Sequence, residues 1–201
     1  MTDVRHAFTE ATAGFVDAVL AVPDDAWSAP GLGVWTVREL VGHTSRALVT
    51  VEEYLDAPPA EITIHSPVDY YRVGLQNAPA SVHEGVAERG RQAGIELGED
   101  PVGSIRALAQ RVLARVAVEP DDAVCSSRLG VMRLIDYLPT RVVELTVHSL
   151  DLTDALDRPP TVRPAALELT AVTIATIADP LVLIRSLGGR TALPQGYNVF
   201  A

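Results

Sequence analysis

Arg141, Glu144, His148 and Asp151 fall on one stripe of a segment, residues 134–156, that is otherwise rich in Leu and Val. At 3.6 residues per turn, spacings of three and four put these four ionisable groups on one face of a helix. Such a face cannot be sunk into plain hydrocarbon, because buried charge needs a partner or a ligand. The helix must therefore pack against other elements and turn this stripe toward complementary groups.

The rest of the chain supplies helices to pack against. Ala7, Phe8, Ala11, Phe15, Ala18 and Val19 recur at helical spacing within residues 3–21, and Pro23 with Asp24-Asp25 ends that element. Thr36-Val-Arg-Glu39 is a capping box that opens a helix running to about Leu55, before Pro58-Pro59. Residues 60–65 read as an extended connection. Ser66-Pro67 starts a further helix that Pro79 interrupts, and another spans about 80–97. After Asp100-Pro101, the apolar positions Ile105, Leu108, Val112 and Val116 predict a helix over 101–118. Residues 119–131 read as a loop with room for a short extended piece. Pro139 sits in the first turns of the 134–156 helix, where proline is best tolerated. Residues 164–178 predict one more apolar helix, Asp179-Pro180 a short one, and the tail from Gly188 is irregular. Apolar Leu181, Val182 and Ile184 suggest burial against the chain itself or a partner. The expectation is a mainly all-α protein: a four-helix bundle over 1–157 with a short helical and extended addition over 158–201.

Charge and composition narrow the function. The net charge of -10 argues against general nucleic-acid binding, which depends on neutralising phosphates. No apolar run is long enough for a membrane span, and the N-terminus lacks a signal-peptide pattern, so a cytoplasmic protein is expected. All 16 basic residues are Arg, which excludes Schiff-base chemistry on lysine. Cys125 is the single cysteine, with no neighbouring His to activate it, so neither an internal disulfide nor a cysteine-rich zinc site is available.

Glu144 and His148 lie one turn apart and can grip one metal ion; a third ligand must come from elsewhere. His43, midway along the capped helix, is the candidate, since mid-helix residues of facing bundle helices meet. Two imidazoles and one carboxylate leave open positions on zinc, and also suit nickel or ferrous iron. The same residues equally fit a structural reading in which each satisfies the others. Arg141 can hold a substrate carboxylate as a fork or pair with Asp136 or Asp151. Asp151 can orient a ligand histidine or be a surface charge. Arg46, on the turn after His43, can meet an anionic thiol cofactor or stay solvated. His83 can line the cleft or face solvent, and His6 and His65 are expected in solvent. Trp27 and Trp35 are expected to pack the start of the second helix.

The segment Trp35-Thr-Val-Arg-Glu-Leu-Val-Gly-His43 resembles the second-helix motif of the DinB-like metalloprotein superfamily. Residues 134–151 are similar to the last bundle helix of its mycothiol-dependent maleylpyruvate isomerase branch, and the tail Leu187-Gly-Gly-Arg-Thr-Ala-Leu-Pro-Gln-Gly-Tyr197 resembles the end of proteins in that branch. The resemblance implies a DinB-like bundle with one divalent metal, usually zinc, on His43, Glu144 and His148. It implies mycothiol as cosubstrate and an actinobacterial source. The maleylpyruvate isomerase itself has a larger C-terminal domain, so the expected activity is broader: an isomerase or thiol transferase acting on a small electrophile, as a monomer or homodimer. Two rivals remain: a zinc hydrolase using activated water, and a non-enzymatic metal-binding stress-response bundle.

Overall fold

The computed structural model describes residues 3–58, 60–76 and 81–200, and the side chains within these except those of 75, 76 and 81–84. Its elements are α1 (Val4–Leu20), α2 (Val37–Asp56), α3 (Pro67–Gln76), α4 (Ser81–Glu96), α5 (Pro101–Val118), β1 (Val124–Ser126), β2 (Val131–Arg133), α6 (Leu134–Ala155), α7 (Pro164–Ile177) and α8 (Pro180–Leu187). Helices thus dominate, as the periodicity predicts. The interruption expected at Pro79 lies outside the described residues.

Local chemistry fixes the helix ends. Asp3 accepts from the backbone of Arg5 and His6 at the start of α1. At α2, the Thr36 hydroxyl accepts from Glu39 N while the Glu39 carboxylate accepts from Thr36 N. Asp100 caps α5 and Asp179 caps α8, each just before a proline in the first turn. These bonds satisfy amide groups that no helical carbonyl reaches.

Helices α1, α2, α5 and α6 form the bundle, with α6 packed on both α1 and α2 and α5 closing the opposite side. Phe8, Phe15, Leu40, Leu48, Ile105, Val112, Leu138, Leu145 and Leu152 fill its interior. Helix α7 lies across α1 and α6, contributing buried Ala166. Helix α4 packs against α2 at very short range: a Cβ at Gly42 would lie 2.6 Å from the Gly94 Cα. Only glycine lets the two backbones approach so closely.

One detail fills in the sequence expectations and another departs from them. The 119–131 loop holds β1, which pairs antiparallel with β2 in the register Val124↔Arg133, Cys125↔Met132 and Ser126↔Val131. The extended connection rests on this hairpin, with Thr63 N and Ile64 N both donating to Val131 O. Gly130 turns the hairpin at φ 154°, in a space where a Cβ would strike Thr63 and Ile64. Burial at the C-terminus does not extend to Leu181 and Ile184. Ile184 is 70% exposed, because α8 makes its helix contacts chiefly through α7 and turns these residues outward.

Candidate metal centre

Helix α6 runs straight out of β2, which sets the phase of its polar stripe. Leu138, Val142, Leu145 and Leu152 go into the core. Glu144, His148 and Asp151 then face the groove beside α2, half-buried. On α2, buried Leu40, Thr44 and Ala47 define the inner face, and His43 lies at its edge.

The two helices bring His43, Glu144 and His148 together. His43 Nε2 and His148 Nε2 are 3.2 Å apart, and His148 Nε2 is 3.6 Å from a Glu144 carboxylate oxygen. One donor atom from each residue lies within 4.8 Å of the others. Ligands at about 2.05 Å from a tetrahedral zinc ion sit about 3.4 Å apart, so both measured distances suit a single small ion. Asp151 accepts from His148 Nδ1 at 2.9 Å, which leaves Nε2 as the atom aimed at the other two residues. His43 Nδ1 is buried and has no hydrogen-bond partner among the described residues. Its ring is held instead by Trp35, stacked with centroids 4.3 Å apart, and the Trp35 indole N–H is tied to Ala87 O on α4. Trp35 thus does more than pack the start of α2.

The electrostatics follow from this crowding. Burial lowers the His43 pKa to about 4, helped by His148, Arg46 and Arg89. Burial also disfavours charge on His148, but hydrogen bonds to Asp151 and Glu144 outweigh it and raise its pKa to about 9. Glu144 shows the same contest: burial would raise it, while His148 and Arg141 pull it down to about 2. In the metal-free protein one histidine is neutral and the other charged.

Arg141 is only 8% exposed, and no carboxylate lies within ion-pair distance of it among the described residues. Neither sequence-proposed partner holds it: Asp136 pairs with Arg133, and Asp151 with His148. Its guanidinium instead lies over the rings of Tyr137, at 4.8 Å, and Tyr70, at 5.7 Å, and donates to the Thr140 and Tyr70 hydroxyls. A buried guanidinium that lines the groove with no carboxylate in contact can take an anion from it.

The groove has two lobes that meet at His43, Tyr70 and Glu144. One, about 330 Å³, is lined by Arg46, Arg89, Arg128 and Arg141. The other, about 620 Å³, is lined by Leu32, Trp35, Val143, Val147 and Phe200. Of these, the sequence reading had singled out Arg46, Arg141 and Trp35. Arg89, Arg128 and Phe200 come from α4, the hairpin turn and the tail, and no local motif marks them. His6 and His65 are exposed, and the side chain of His83 lies outside the described residues. Cys125 is fully buried, and burial together with Glu119 pushes its thiol up to about 12, so it is no nucleophile.

Neither the curated proteins nor the solved structures hold a match to this chain. A family model does match: that of the mycothiol maleylpyruvate isomerase N-terminal domain, over residues 8–153. The match takes in the whole of α2 and every polar residue of the α6 stripe, and the chain belongs to that family.

Proposed function

We propose that this protein is a divalent-metal enzyme that uses a low-molecular-weight thiol, mycothiol by the family's name, on a small anionic electrophile. The observation that carries the reading is the convergence of three donor atoms on a groove whose wall holds a buried arginine with no carboxylate in ion-pair contact among the described residues. His43 Nε2, His148 Nε2 and a Glu144 oxygen would hold the ion, and two nitrogens with one oxygen favour zinc. When bound, the ion supplies the Lewis acidity that keeps a thiol deprotonated at neutral pH.

The chain's own residues do the rest. Asp151 holds the His148 proton on Nδ1 and so fixes the tautomer. Trp35 fixes the plane of the His43 ring. Arg141 presents its fork to a substrate carboxylate and balances the charge that builds on the electrophile as the thiolate adds. With an unsaturated cis-dioate, addition, bond rotation and loss of the thiolate give the trans isomer; with other electrophiles, protonation of the adduct ends the reaction in thiol transfer. Arg46 lines the same lobe and serves the anionic partner.

The test is metal content per chain for the parent and His148→Ala, prepared identically. About one divalent ion in the parent and little in the variant is the expected result. Equal metal in both proteins, or none in the parent after reloading, would overturn the ligand set. Turnover of electrophiles with and without thiol then separates this enzyme from a hydrolase.

A further inference from the structure

The two lobes differ in chemistry, and they share the wall where His43 and Glu144 stand. Arg46, Arg89, Arg128 and Arg141 converge on the smaller lobe in a protein whose net charge is -10. None of the four has a carboxylate within ion-pair distance among the described residues; the arginine ion pairs form elsewhere, at Arg5, Arg72, Arg91, Arg111, Arg115, Arg133 and Arg163. Burial lowers the pKa of Arg89, and the nearby charges of Arg128 and Arg46 lower it further. Glu144 is the single carboxylate lining the lobe among the described residues, so the four arginines leave a net positive charge for an anion to balance.

The larger lobe has the opposite character. Trp35, Val143 and Val147 line it, together with Asn198 and Phe200 of the C-terminal tail. The tail is built into place: Asp179 N donates to the Tyr197 hydroxyl, Asn198 Oδ1 accepts from Phe200 N, and the Phe200 ring lies 5.2 Å from that of Tyr71. About 620 Å³ is within the range of small-molecule sites, and exceeds what a short acid would fill.

We propose that the cleft binds an amphipathic anion: an acidic head among the arginines, the reacting carbon beside His43 and Glu144, and an alkyl or aryl body between Trp35 and Phe200. This rests on reading the cleft as the active site. It narrows the substrate to electrophiles with an apolar body of several carbons, and it makes Phe200 the residue that sets body length.

The test uses unreactive straight-chain carboxylates from butanoate to decanoate, below their micelle concentrations, with binding read by calorimetry on metal-loaded and metal-free protein. Affinity should rise about fourfold per added CH2 until the lobe is full, then level off. Arg128→Ala should weaken the whole series by a similar factor, and alkanols of equal length should bind far more weakly. Phe200→Ala should leave butanoate unchanged and move the plateau to longer chains. Affinity independent of length, alkanols binding as tightly as acids, or a plateau unmoved in Phe200→Ala would each overturn the proposal. Metal content is measured on the same samples. A metal-free parent that keeps the length profile sinks only the metal assignment; full metal with a flat profile sinks only the ligand class.

Discussion

Helix α2 meets two neighbours in opposite ways. Against α4 it sets backbone on backbone, Gly42 on Gly94, with Arg38 donating to Gly94 O and Glu39 paired with Arg91 beside that contact. Against α6 it offers polar side chains, with His43 facing His148 and Thr50 facing Tyr137. The closeness of the first contact is set by shape, and the second contact is a meeting of polar groups. The close seam has a consequence for the site: it brings α4 near enough to α2 for Arg89 and Val86 to line the groove beside His43. Closeness on one side of α2 thus furnishes a wall for the opening on the other.

The largest expected effect comes from prising the glycine seam apart. Gly42→Ala should cost about 3 kcal/mol in urea unfolding, since backbone cannot move aside as a flexible side chain can. Its metal content should stay near that of the parent, because none of the proposed ligands comes from α4. A neutral Gly42→Ala would show that the seam has slack and does not position the groove.

Next comes the pH response of the polar side, read on metal-stripped protein. The folded pKa of His148, about 9, lies above the ordinary 6.5, so its stabilisation is complete below pH 6.5 and lost as pH rises through 9. The folded pKa of His43, about 4, is depressed, so stability also falls as pH drops from 6.5 toward 4. Metal-free protein should be most stable near pH 6.5, and the full swing on the alkaline side should be at most about 3 kcal/mol. Metal-loaded protein should respond in the opposite sense between pH 6.5 and 9, because protons compete with the ion for imidazole. Thermal unfolding across pH on both forms checks this; parallel curves would mean that His148 takes no part in holding metal.

Asp151→Asn probes the support behind the proposed ligands. Removing the anion that holds His148 Nδ1–H should weaken metal affinity about 10- to 100-fold while the fold survives. Competition with a chelating dye measures it. An unchanged affinity would reduce Asp151 to a surface charge.

How far each side of α2 can be read from the sequence follows from the range of the interactions. The capping box at Thr36, proline in the first turns of α5, α7 and α8, and the stripe on α6 are local patterns, and they give helix ends to within a residue or two. His43 was reachable because facing helices of a bundle pair mid-helix residues. The Gly42–Gly94 seam was not, since a lone glycine in a helix looks the same whether it touches a neighbour or solvent. Arg89, Arg128 and Phe200 lie far apart in sequence and reach the groove only through the path of the chain. The sequence leaves room for a short extended piece in residues 119–131, but its pairing with β2 escaped because three-residue strands are too short to show alternation.

The smallest effect separates the two polar crossings of α2 and α6. Tyr137 is fully buried and donates to the Thr50 hydroxyl at 3.0 Å, while that hydroxyl donates to Arg46 O at 2.8 Å. Tyr137→Phe removes one donor and leaves Thr50 its own bond, and the Phe ring still lies under Arg141. The loss should be about 1 kcal/mol. Thr50→Val should cost more, because it strands the tyrosine hydroxyl in the core without a partner. Neither variant should lose metal if Thr50–Tyr137 merely ties the helices together and the histidine crossing alone binds. Metal loss in Tyr137→Phe at full foldedness would mean that the two crossings act as one unit, through the Arg141 that spans them.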